Sequence, residues 1–323
     1  MGFWELNLQF LVLLAEHRTA FFDWFFAAIT WLGSEYVVIG VLAVYYLLID
    51  KKKAYKLGFV FLLSSGVVQF LKIICRIPRP WILIKEHPVE GNYSVLDKLG
   101  SVGKATGYSF PSGHSQSAVT LFGFLGLRAK RVWLKVVLFL VAAAVCFSRL
   151  YLGVHTPFDV IVAALSSIVC LVLIELLFDR LYDTKWHFVI PLVVGIVSAV
   201  MAIAAADLYD VGWFGDQPKM CYDALKVASL GIALPISYFI DRTYLHFDPK
   251  KGSVAGKCLR LAVAVGGTLG VKELIKACGK LLYGGETIGT VFFSHFVMIP
   301  FAMLLVPLLE GAIAKARAKK KNS

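Results

Sequence analysis

The chain has 323 residues, of which 59% are hydrophobic and only 17% charged, with a mean hydropathy of +0.74. A soluble domain is closer to about one half apolar and one quarter charged, so this composition excludes an ordinary water-soluble enzyme. The formal net charge of +12 does not call for nucleic acid as a partner, because membrane proteins collect Lys and Arg on their cytoplasmic loops.

In chain order, residues 3–15 and 20–32 are apolar and aromatic and are split by Glu16-His17-Arg18. Each is too short to span comfortably, and their Trp and Phe suit the headgroup zone, so 1–33 is expected to hold interfacial or re-entrant helices. With Glu5 and no basic leader, a cleavable signal peptide is not expected. Membrane spans are expected over 34–49, 54–74, 112–127, 136–147, 158–178, 188–206, 224–240, 261–281 and 288–309. A polar loop separates the second from the third, an acidic loop with Asp207, Asp210, Asp216 and Asp223 follows the sixth, and a basic tail covers 315–323. Backbone groups in lipid must be satisfied within each segment, and no alternating barrel pattern is present, so the fold class is an all-α polytopic transmembrane helical bundle.

The basic connections at Lys51–Lys53, Arg128–Lys135, Arg180/Lys185 and Arg242–Arg260, together with the tail, fall on alternate loops, which places all five in the cytoplasm. Residues 72–80, 111–114 and 148–159 then meet at the opposite, extracytoplasmic ends of their spans. The six cysteines lack metal-ligand spacing; Cys75, Cys221 and Cys278 share the outer side, where a disulfide is conceivable.

Those three stretches carry chemistry. Lys72, Arg76, Arg79 and Arg149 are cations at the ends of apolar helices, where desolvation is costly without an anion. For Arg76 alone, snorkelling to lipid headgroups explains the residue equally well. Pro111-Ser112-Gly113-His114 opens a helix, whose N-terminus offers free N–H groups, with Gly113 allowing close approach of an anion. His114 beside that terminus is a candidate general acid. Thr156-Pro157-Phe158-Asp159 reads equally as a helix cap and as part of a His155–Asp159 pair one turn apart.

Lys72 with Arg79-Pro80, Pro111-Ser112-Gly113-His114, and Ser148-Arg149 with His155 and Asp159 resemble the three motifs of the PAP2 superfamily, which unites type 2 phosphatidic acid phosphatases and vanadium haloperoxidases. The spans favour its membrane lipid-phosphatase branch. The resemblance covers roughly 34–180 and implies a PAP2-like catalytic core there, with additional transmembrane helices over 181–314. It implies His155 as the nucleophile forming a phosphohistidine, Asp159 as its orienting partner and His114 as the acid. It implies Lys72, Arg79, Ser112, Gly113 and Arg149 as phosphoryl-oxygen ligands, with no metal or cofactor and a phosphorylated lipid as substrate. Phosphatidic acid, polyprenyl diphosphate, phosphatidylglycerophosphate and a sphingoid-base phosphate all fit. A lipid phosphotransferase, or a non-catalytic lipid-phosphate transporter or sensor, are the alternatives.

Beyond residue 180, Lys272, Glu273, Lys276 and His295 are ionisable groups inside predicted spans, which makes them functional candidates. A Glu273–Lys276 helical pair accounts for two of them. Gly266, Gly267 and Gly270 are expected to let another helix pack closely.

Overall fold

The computed structural model describes residues 2–89, 107–208, 218–285 and 287–312. The loop around Asn92, Asp210 and Asp216 of the acidic loop, and the tail at 315–323 lie outside the described residues. All regular structure among the described residues is helical. The helices are α1 (Phe3–Glu16), α2 (Ala20–Thr30), α3 (Glu35–Val44), α4 (Lys51–Cys75), α5 (Pro80–Glu86) and α6 (Gly113–Arg128). They continue with α7 (Val132–Tyr151), α8 (Pro157–Tyr182), α9 (Trp186–Leu208), α10 (Pro218–Ile240), α11 (Val254–Tyr283) and α12 (Ile288–Pro300).

Seven helices are long and apolar enough to cross a membrane among the described residues. The N-terminal third departs from the simplest expectation. Residues 34–49 are not an independent span: Ala20–Gly33 and Glu35–Ile49 qualify only as a pair, bent by 50° at Ser34. The physical cause is local, because the three-residue 3₁₀ turn Trp31–Gly33 ends with Ser34 in extended conformation, which breaks the backbone ladder. Helix α6 has 16 residues, about 24 Å at 1.5 Å per residue, shorter than the bilayer's apolar core of about 30 Å.

The chain forms two compact units. The first comprises Met1–Val38, Leu63–Leu176 and Ile203–Cys221. Within it α6 packs along α7, while α1 and α2 pack on α7. Leu8, Leu11 and Val12 of α1 bury against Leu83, Ile84 and Val89. Between α4 and α6 the interior is polar: the Gln116 amide donates to Ser64 Oγ at 2.7 Å, and Ser64 and Thr120 hydroxyls lie 3.1 Å apart. Such hydrogen bonds fasten helices where lipid offers no hydrophobic drive for association.

The second unit comprises Ile39–Leu62, Leu177–Ala202 and Tyr222–Ser323. Here α11 packs on α12. Of the three glycines expected to admit a neighbour, Gly267 does so, since a Cβ there would stand 2.3 Å from the Phe301 ring; Gly266 and Gly270 face open space. All six cysteines are free, so the conceivable disulfide is absent. Glu273 makes no ion pair among the described residues; it lines a small cavity with Lys276, Ala277, Lys280 and Gly285. Lys272 is buried, and His295 Nδ1 lies 2.9 Å from the Val291 carbonyl.

Candidate active site

The first unit brings the three motif stretches together at one end of α4, α6, α7 and α8. Lys72 lies on the last turn of α4 and is buried. Arg76 closes that helix with φ +51°, and its exposed side chain turns back to donate to the Ile73 carbonyl. Arg79 then takes the N-cap position of α5 with Pro80 at its first turn. The turn at Gly107–Ser109 ties these pieces down. Its Gly107 carbonyl accepts from Arg79 Nε at 2.9 Å, its Tyr108 carbonyl from Lys72 Nζ at 3.3 Å, and its Ser109 N–H donates to the Ile77 carbonyl at 2.8 Å.

Ser112 caps α6. Its Oγ accepts from the Ser115 hydroxyl at 2.9 Å and the Ser115 N–H at 3.4 Å, while its own N–H donates to the Asp159 carbonyl at 3.2 Å. The capping hydroxyl is thus fixed in place. A side chain at Gly113 would meet no atom within 4 Å, so the space over this helix N-terminus is open. The orphan N–H groups there suit an anion. His114 follows, half-buried, and its charge acts on the His155 imidazole.

Arg149 ends α7, buried and 7% exposed. A turn through Gly153, at φ +64°, leads to His155. Thr156 caps α8 reciprocally with Asp159: Thr156 N–H donates to Asp159 Oδ2 at 2.8 Å, and Asp159 N–H donates to Thr156 Oγ1 at 3.3 Å. The same Oδ2 lies 3.4 Å from His155 Nδ1. Cap and His–Asp pair are therefore one arrangement, and the two sequence readings of this stretch both hold. On the other side of the ring, His155 Nε2 meets Arg79 NH1 at 3.1 Å.

Two participants escaped the sequence reading. The Ser109 hydroxyl donates a short hydrogen bond to Asp159 Oδ2 and lies 3.3 Å from His155 Nδ1, fully buried. No residue-type pattern distinguishes a serine three positions before Ser112 from the other serines of that loop. Thr30 is another, taking a hydrogen bond from Arg149 NH1 at 2.6 Å.

Electrostatics follow from this packing. Burial holds the His155 imidazole well below the usual 6.5, and Arg79, Arg149, Lys72 and His114 push it further in the same direction. The ring is neutral at physiological pH. With Nδ1 facing Asp159, Nε2 is the unprotonated nitrogen, and its lone pair accepts from Arg79 NH1. A neutral nucleophilic nitrogen among fixed positive charges is chemistry for an anionic electrophile, such as a phosphoryl group.

The fold and this site define a multi-pass helical membrane protein with a buried, cation-lined His–Asp pair. Residues 53–183 match the profile of the PAP2 superfamily, and the chain belongs to that superfamily. It is 29% identical over 162 residues to an undecaprenyl-diphosphatase of Sulfolobus acidocaldarius, covering 48% of this chain and 70% of that protein. It is 30% identical to the protein in a crystal structure of Aquifex aeolicus LpxE, covering 54% of this chain and 99% of that one, with a TM-score of 0.45.

Proposed function

We propose that the protein is a metal-independent lipid phosphatase that cleaves a lipid phosphomonoester or diphosphate at the extracytoplasmic membrane surface. The observation that carries this reading is the orientation of His155: Nδ1 toward Asp159, Nε2 toward Arg79. His155 Nε2 attacks phosphorus, and the bond to the leaving oxygen breaks as His114 gives that oxygen a proton. Water then attacks the phosphohistidine, His114 takes a proton from it, and inorganic phosphate departs. Lys72, Arg79, Arg149 and the N-terminus of α6 at Ser112 and Gly113 hold the phosphoryl oxygens through both steps, in the role that metal ions play in other phosphoryl transfers. Asp159 and Ser109 fix the imidazole's direction and tautomer. A diphosphate substrate agrees with the relative named undecaprenyl-diphosphatase. The basic loops and tail support an extracytoplasmic site, since such charge favours the cytoplasmic side for the opposite end of the helices.

The test uses purified protein in detergent with EDTA, offered phosphatidic acid, phosphatidylglycerophosphate, polyprenyl diphosphate and a sphingoid-base phosphate. Release of inorganic phosphate is expected from at least one, with acid-labile, base-stable phosphate trapped on the protein, and both lost in His155→Ala. Full activity in His155→Ala and His114→Ala would overturn the mechanism. Transfer of the label to an added lipid alcohol rather than water would identify a phosphotransferase. For sidedness, Asn92→Cys should react with an impermeant thiol reagent in intact cells and Lys251→Cys should not; the reverse pattern moves the site to the cytoplasm.

A further inference from the structure

The N-terminal helices lie outside residues 53–183, the segment that matches the superfamily profile, yet they touch the motif stretches at 111–114 and 148–159. On α1, Asn7 Oδ1 accepts from the Phe158 N–H at 3.0 Å, one residue before Asp159. Phe3 stacks edge-on against Phe158 at 5.0 Å between ring centroids. Arg18, between α1 and α2, sits over the Tyr151 ring and pairs with Asp23, which in turn accepts from the Tyr151 hydroxyl at 3.1 Å. In the 3₁₀ turn, Gly33 lies so close to α6 that a Cβ would stand 2.8 Å from the His114 carbonyl and 2.6 Å from Val145.

Most specific is Thr30. Its Oγ1 accepts from Arg149 NH1 at 2.6 Å, and the Arg149 guanidinium is buried with no carboxylate partner among the described residues. Arg149 Nε is buried without any hydrogen-bond partner among them. A buried guanidinium has five N–H donors in a rigid plane, and leaving one unsatisfied is costly. Anchoring NH1 on a neutral hydroxyl fixes the plane of the fork without neutralising its charge. The charge stays available, close enough to act on His155.

We propose that Thr30 is the positioning residue for Arg149, and that the N-terminal segment carrying it is thereby a working wall of the phosphate pocket. This rests on the phosphatase reading above. The hydroxyl holds the guanidinium plane so that its remaining donors face the phosphoryl oxygens. The substrate is bound through Arg149; Thr30 does not touch it.

The experiment compares Thr30→Val, which keeps shape but removes the hydroxyl, with Thr30→Ser, which keeps the hydroxyl, in full-length protein. The readouts are KM and kcat on the best lipid phosphate and inhibition by orthovanadate as an anion probe. Losing one hydrogen bond to a charged group predicts that Thr30→Val raises KM and the vanadate inhibition constant about tenfold, with kcat within about threefold. Thr30→Ser should restore both. In an Arg149→Lys background, which lacks the fork, Thr30→Val should have little further effect; an undiminished effect there would mean a structural role and overturn the proposal. Wild-type KM and vanadate sensitivity in Thr30→Val would also overturn it while leaving the phosphatase reading intact. A wild-type protein inactive on every lipid phosphate would instead sink that reading, and this one with it.

Discussion

Two buried arginines, one in each unit, show how the same side chain serves opposite purposes. Arg260, 4% exposed in α11, has its donors spent within the protein. Nε and NH2 grip both oxygens of Glu310 at 2.8 and 2.7 Å, and the Leu47, Pro249 and Lys251 carbonyls accept the rest. Arg149, 7% exposed in α7, makes one hydrogen bond to the Thr30 hydroxyl and leaves Nε without a partner among the described residues. A guanidinium saturated by a forked carboxylate is a structural clamp. One held by a neutral oxygen keeps its charge uncompensated, which suits the phosphate-binding role proposed for Arg149. Asp241 repeats the first pattern in the second unit: fully buried, it accepts from Tyr46, from Lys51 at 2.6 Å and from the Phe247 N–H.

Exchanging the two arginines for glutamine tests this contrast most severely. Arg149→Gln is expected to lower kcat/KM about a hundredfold, as loss of one charged donor to a transferring phosphoryl group does, with thermal stability in detergent nearly unchanged. Arg260→Gln should do the reverse. It should cost about 2–3 kcal/mol, less than a fully enclosed pair because the Glu310 side chain is 38% exposed, and leave kcat/KM close to wild type. Equal effects of both changes on activity and on melting would erase the distinction.

Ser109→Ala sharpens it within the site, because Ser109 spans Asp159 and His155. A fall in kcat of about tenfold is expected, with KM little changed and with recovery in Ser109→Thr. A change in KM alone would remove Ser109 from the imidazole's support. The smallest effect concerns pH. On the proposed mechanism His155 attacks as the neutral imidazole, so the acid limb of activity should follow its lowered value. Burial is the largest cause of that lowering and Arg149 a lesser one. In Arg149→Gln the acid limb of kcat/KM should therefore move upward yet remain below 6.5. A downward movement would contradict the electrostatics.

Much of this protein was legible in its residues. The apolar runs locate the long helices, because hydrophobic length and backbone satisfaction leave few options in lipid. Pro80 and Pro157 are the first residues of their helices, where their missing N–H costs nothing, and Pro111 precedes the cap of α6. The motif residues of 72–80, 111–114 and 148–159 do gather, since loop charge alone placed those helix ends on one side.

What composition and spacing left open depended on distances across the fold. The bend at Ser34, the clamp of Gly107–Ser109 on Lys72 and Arg79, the Ser109 bridge and the Thr30 anchor join residues separated by up to 119 positions. Hydroxyl side chains carry no periodic or charge signal, so only tertiary packing decides which serine or threonine meets a buried ion. Sequence alone determined a helical membrane protein with cations and histidines at one end of its spans. The tertiary structure decided which group meets each nitrogen of His155 and which arginine still has a charge to offer, because both depend on what fills the remaining hydrogen-bonding positions.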